Sequence, residues 1–104
     1  MRKNDLGKHE QPLPNLRQIR RSCRNELYRT AKRLNTYIPP AQMEEAEALY
    51  FRKVTENLLF IAENGNNRKK LADWWEDHVC ADIAEMWRVE PDRLARAFRS
   101  AFGG

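Results

Sequence analysis

The sequence predicts an all-α domain of four helices, or five if the third divides. Two observations carry this. Apolar residues recur at spacings of three and four through most of the stretch from Leu16 to Phe102, which is the period of a helix face and not the alternation of a strand. Glycine is scarce, at 4 of 104 residues, and proline numbers 5. Most of them fall between the periodic stretches, which disfavours a turn-rich β fold. Hydrophobic residues at 41%, a tenth of the chain being aromatic, are enough to fill a core. A chain of this length fits one domain. A domain of that size buries roughly 65% of its unfolded surface, so it needs no metal or disulfide staple.

Residues 1–13 are polar, contain Gly7 and Pro12, and lack periodicity. They read as a flexible basic arm, leaving 14–104 as a single helical domain. Pro14 and Asn15 mark a helix start, since Asn is a favoured cap. The first helix is expected over about 15–36, with Leu16, Ile19, Cys23, Leu27, Ala31 and Leu34 on one stripe. Asn35 to Pro40 breaks it, and Pro40 suits the first position of the next helix. That second helix is expected over 40–63, with Met43, Ala46, Leu49, Tyr50, Val54, Leu58 and Ile61 inward. Its last turn, Leu58 to Ala62, is apolar nearly all round, which suits the bundle centre or a subunit contact. Asn64-Gly65-Asn66-Asn67 is a stop, with Gly65 suited to a left-handed cap.

The third helix is expected over 68–87, on Leu71, Trp75, Val79, Ile83 and Met86. Asp73 with Glu76 also forms a capping box, and Asp77 is a second potential cap, so a break between 72 and 78 is the alternative. Arg88-Val89-Glu90 is a short turn. Pro91 opens the last helix, 91–102, with Leu94, Ala97, Phe98 and Ala101 inward.

The net charge is +4, and it is unevenly placed. Residues 1–33 hold ten Lys/Arg against three Asp/Glu, a net of +7; residues 34–63 hold two against five, a net of −3. Such asymmetry points to a polyanionic partner, above all nucleic acid, although a solvated basic face also aids solubility. No apolar run approaches the ~18 residues of a membrane span, so no membrane partner is expected. No apolar segment follows the basic start, so a cytoplasmic address with Cys23 and Cys80 reduced is expected.

Catalytic, cofactor and metal sites are all expected to be absent, and with them any small-molecule substrate. The sequence holds no Gly-rich phosphate loop, HExxH or nucleophile elbow. His78 beside Cys80 lacks further ligands at zinc spacing. Glu44, Glu45 and Glu47 suit the positive end of the second helix's dipole, which is sufficient reason for them.

Cys80 to Arg99 (CADIAEMWRVEPDRLARAFR) resembles the helix-turn-helix unit of bacterial and phage regulators. Ala84 is the small residue where two helices would cross. Ile83, Trp87 and Val89 point inward around the turn, and Leu94 with Ala97 or Phe98 continues the apolar set. Three features depart from that pattern: Arg88 stands where the turn usually carries glycine, Glu90 and Asp92 open the second helix, and the unit's charges cancel. An ordinary helical corner has the same spacing. The resemblance implies a last helix in the major groove of double-stranded DNA, with Arg93, Arg96 and Arg99 on its solvent side and Arg88 at the turn. Arg17, Arg20, Arg21 and Arg24 of the first helix would then add phosphate contacts.

Trp74 and Trp75 lie ~100° apart on a helix and are not expected to enter one core together. One of them is therefore expected to meet another chain or a neighbouring helix, and with Phe60 to anchor a protein interface, most simply a homodimer; the alternative is that the two form two walls of a thick core. The alternative function is a helical adaptor or inhibitor whose basic first helix docks an acidic protein partner.

Overall fold

The computed structural model describes residues 15–104. Among them the chain forms six helices and no strand: α1 (Leu16–Leu34), α2 (Pro40–Glu56), α3 (Leu58–Glu63), α4 (Arg68–His78), α5 (Cys80–Trp87) and α6 (Pro91–Phe102). The expected all-α class holds. The expected arm over 1–13 lies outside the described residues. Two expected helices each divide, so the count rises from four or five to six.

The helix starts follow local chemistry. Asn15 Oδ1 accepts from the backbone N–H groups of Arg17 (2.8 Å) and Gln18 (3.3 Å), satisfying donors that α1 cannot pair internally. Pro40 and Pro91 occupy first-turn positions of α2 and α6, where a missing N–H does no harm. Asn67 Oδ1 caps α4 by accepting from Lys70 N at 3.1 Å.

Asn57 explains the break between α2 and α3. Its side-chain Nδ2 donates to the Lys53 carbonyl at 2.9 Å, the acceptor its own N–H would use in a continuous helix, and that N–H turns to Val54 O instead. Val79 breaks α4 from α5, just past the window in which a cap was expected. It is wholly buried with φ −120°, and the chain bends around it while the Val79 N–H to Trp75 O bond, 2.8 Å, survives. Asp73 caps nothing, because its carboxylate is taken by Lys69 and Arg99.

The α5–α6 turn is closed at Arg88, which sits in the left-handed region at φ 57°. Val89 N–H reaches Ala84 O (3.0 Å) and Arg88 N–H reaches Glu85 O (3.3 Å). This double bond set ends a helix on a left-handed residue, a place where a Cβ is strained. Arg88→Gly is therefore expected to raise stability by about 0.5–1 kcal/mol, or a few degrees in Tm by thermal melting; a lower Tm would show that the arginine side chain outweighs the backbone strain.

The core is one cluster drawn from α1, α2, α4, α5 and α6. α1 packs along α6 and α2, and α5 joins α6 at the corner. At the centre, Trp75 stacks on Phe98 with ring centroids 3.9 Å apart and planes 3° from parallel. Tyr50 meets both rings edge-on at 6.1 and 6.4 Å. The expectation that Trp74 or Trp75 faces outward is corrected: they are 7% and 1% exposed. Trp75 enters the α2–α6 stack, while Trp74 turns to the flank, stacks on His78 at 5.6 Å and lines a cavity with α1 and α3 residues. A helix embedded between two neighbours can bury two adjacent large rings in different directions. Neither tryptophan is available as an interface anchor. Phe60 (37% exposed), with Leu59 (69%), does stand on the surface.

Candidate nucleic-acid interface

α1 carries six arginines, one lysine and a single carboxylate, Glu26. Ile19, Cys23, Leu27, Thr30 and Leu34 are buried, so the stripe they form fixes the opposite face to solvent. On that face Arg17, Arg21, Arg24, Arg29, Lys32 and Arg33 are all exposed. Glu26 is half-buried and accepts the Tyr50 hydroxyl from α2. The outer surface of α1 therefore presents six cations with no carboxylate of its own among them. Arg17, Arg21, Arg24, Tyr28 and Lys32 follow one another at spacings of four, three, four and four, which keeps them in a single row. Near the end of that row, Tyr28 (50% exposed), Lys32 and Tyr37 (79%) line a shallow groove.

One flank of the row is partly neutralised by α2. Arg20 Nε donates to Glu47 Oε2 at 2.7 Å, and its guanidinium lies over the Phe51 ring at 5.2 Å. Arg24 Nε donates to Glu47 Oε1 at 3.1 Å. Burial pushes the Glu47 carboxyl up, but hydrogen bonds and charge from Arg24 and Arg20 outweigh it and hold the group below its usual range. A carboxyl with a lowered folded-state pKa stabilises the fold above its unfolded pKa, and that contribution is lost as pH falls through the lowered value. Glu47→Gln should thus cost about 1 kcal/mol at neutral pH, since both guanidiniums keep solvent access, and should flatten the loss of stability below about pH 4. Urea titrations at several pH values check this; an unchanged acid limb would assign that limb to other carboxylates.

The three arginines of α6 do not stand together. Arg93 Nη2 donates to the Leu34 carbonyl at 2.6 Å and so caps the C-terminal end of α1. Arg99 is held between Asp73 Oδ1 (2.7 Å) and Glu76 Oε1 (2.8 Å), and this pairing keeps the Asp73 carboxyl below its ordinary range. Only Arg96 has no hydrogen bond or ion pair to another described residue, and it is exposed, as is Arg88. Glu90 and Asp92 are exposed at the start of α6. The expected reading surface on α6 is thus reduced to Arg96 with Arg88 at the turn, because two guanidiniums serve helix-to-helix contacts. Arg17 and Arg21 are exposed as expected, while Arg20 and Arg24 are shared with Glu47. Arg29, Arg33 and Tyr37 were not singled out from the sequence. The four-residue series of Arg17, Arg21, Arg29 and Arg33, interrupted at Asn25, was the signal that could have found the two arginines.

Burial pushes the Cys80 thiol up to about 11, and that of Cys23 is raised as well, so neither is poised as a nucleophile. Among the described residues no group of three His, Cys, Asp or Glu side chains could hold a metal ion, and no helix is long and apolar enough to cross a membrane.

Comparison with known proteins gives no relative at a significant level, whether among protein families, curated proteins or solved structures.

Proposed function

We infer that the chain is a small DNA-binding protein that grips the phosphate backbone of duplex DNA with the outer face of α1. The observation that carries this reading is the row of exposed cations on α1, which has no carboxylate from its own helix on that face and contains exposed Tyr28, with Tyr37 beyond its end. Guanidinium and ammonium groups replace the counterions condensed on DNA, and the release of those ions drives binding. Tyrosine hydroxyls add hydrogen bonds to phosphate oxygens, which orient the helix without reading sequence. Any sequence preference, and with it a role as a transcriptional regulator, falls to Arg96 and Arg88 at the corner, where Arg can pair a guanine edge. The carboxylates of Glu90 and Asp92 work against deep entry of α6 into the groove.

Fluorescence anisotropy of a labelled duplex across a salt series tests the reading. The logarithm of the association constant should fall linearly with the logarithm of salt, with a slope of about −0.9 per phosphate contacted. No binding at low salt, or binding independent of salt, would overturn it. Binding to an acidic protein in place of DNA at the same α1 face would favour the adaptor alternative.

The pair Leu59 and Phe60, exposed side by side on α3, favours a homodimeric contact there. Light scattering over a concentration series should show dimer that Phe60→Ser dissociates; a monomer at every concentration would retire the contact.

A further inference from the structure

A second feature lies away from the exposed face of α1. A cavity of about 500 Å³ opens between α1, α2, α3, α4 and the end of α6, within the range of small-molecule sites, roughly 300–1,000 Å³. Most of its wall is apolar, and three aromatic side chains line it: Tyr50, Trp74 and Phe102. Two opposite charges stand in the same wall, Glu26 from α1 and Arg68 from α4. They act on each other through space and not by a direct hydrogen bond.

Each has spare hydrogen-bonding capacity. Glu26 uses Oε1 to accept the Tyr50 hydroxyl, which leaves Oε2 without a partner among the described residues. Arg68 donates Nη1 to Phe102 O at 3.0 Å, and its guanidinium lies 4.7 Å from the centre of the Phe102 ring; its other N–H groups are not engaged with described residues. Burial raises the Glu26 carboxyl, and neither the Tyr50 bond nor the charges of Arg68 and Arg29 fully compensate. Trp74, 7% exposed, also lines the cavity; its indole N–H, like that of Trp75 in the core outside the cavity, is buried with no acceptor. Buried polar groups in folded proteins normally have partners.

We propose that this cavity binds a zwitterionic small molecule with an aromatic body, of which a free aromatic amino acid is the simplest. The ammonium group pairs with Glu26 and the carboxylate with Arg68. The ring lies among Tyr50, Trp74 and Phe102, where aromatic pairs gain beyond simple burial. A ligand without an ammonium would leave the half-buried Glu26 carboxylate with only the Tyr50 bond and the through-space charges of Arg68 and Arg29, and a ligand without a carboxylate would forgo the solvent-open Arg68 guanidinium.

The test titrates the full chain with L-phenylalanine, with N-acetyl-L-phenylalanine, which lacks the ammonium, and with phenethylamine, which lacks the carboxylate. Calorimetry gives the affinity, and NMR follows the indole N–H signals. L-Phenylalanine is expected to bind saturably and to shift the Trp74 indole signal. Each blocked analogue should bind roughly tenfold more weakly or worse, since each loses a charge-assisted contact. Glu26→Gln keeps an acceptor for the Tyr50 hydroxyl, so the fold is retained, and it should weaken L-phenylalanine by a similar factor, as should Arg68→Gln. No saturable binding up to the solubility limit would overturn the proposal, and so would equal affinity for either blocked analogue. The duplex-binding reading does not depend on any of these results.

Discussion

Replacing Arg17, Arg21 and Lys32 together by glutamate is expected to lower duplex affinity by roughly 10²–10³-fold at low salt while leaving the fold intact. These three side chains are exposed and hydrogen-bond to no other described residue, so their loss removes no internal contact, and Tm should stay within a few degrees. Each phosphate contact removed should also take about one unit from the steepness of the salt dependence. Three reversals should therefore make the slope shallower by about three units. Conversion of the row from positive to negative adds repulsion, largely screened at physiological salt, where the Debye length is about 8 Å. The contrast is with Arg93→Ala and Arg99→Ala. Those guanidiniums hold the end of α1 and the side of α4, so their removal should lower Tm more than it changes binding. Full affinity in the triple variant would sink the α1 interface. Loss of affinity in Arg93→Ala at unchanged Tm would restore α6 as the reading helix.

Helix class and helix starts were legible in the sequence because they depend on neighbours in the chain. The period of Ile19, Cys23, Leu27 and Leu34, the cap at Asn15 and the prolines at 40 and 91 are local signals, and each acts as expected. The division at Asn57 was not legible, and the one at Val79 was legible only as an alternative, placed a residue too early and assigned to the wrong cap. Asn57 breaks the helix by a side-chain bond to a carbonyl one turn back, which competes only weakly and wins where packing allows. Val79 bends because the core closes around it, a tertiary effect that no local pattern announces.

The candidate site divides in the same way. That α1 is basic on its outer side follows from spacing alone. Which arginines remain free does not, because Glu47, Asp73 and Leu34 come from parts of the sequence remote from the guanidiniums they hold. A row of arginines read along one helix is a supply of cations, and their partners on other helices decide how many reach solvent. The same reasoning accounts for the tryptophans. An angle of ~100° between neighbours separates two directions, but a helix packed on two sides accepts a large ring in each.

The other large effect belongs to the aromatic centre. Trp75→Ala is expected to destabilise the fold by about 3–5 kcal/mol, and Phe98→Ala by a similar amount. Trp75 is 1% exposed and Phe98 likewise, so almost all of either side chain's contacts are lost on truncation. The two rings lie flat on one another at 3.9 Å, with Tyr50 against both edges. Removal of one ring therefore leaves a cavity bounded by two aromatic faces that cannot both shift to fill it. A domain of this length has a total stability on the order of 5–15 kcal/mol, so either change removes a large share of it. Because the rings join α2, α4 and α6, the loss should be cooperative and not confined to one helix. Urea denaturation followed by far-ultraviolet circular dichroism would show a large fall in midpoint. Trp75→Phe, which keeps a ring against Phe98, should recover more than half of the lost stability. The double change Trp75→Ala with Phe98→Ala should cost less than the two single changes added, since each single change already removes the shared stack. Strict additivity would mean that the two rings stabilise the fold independently, and that the stack is a consequence of packing rather than a contributor to it.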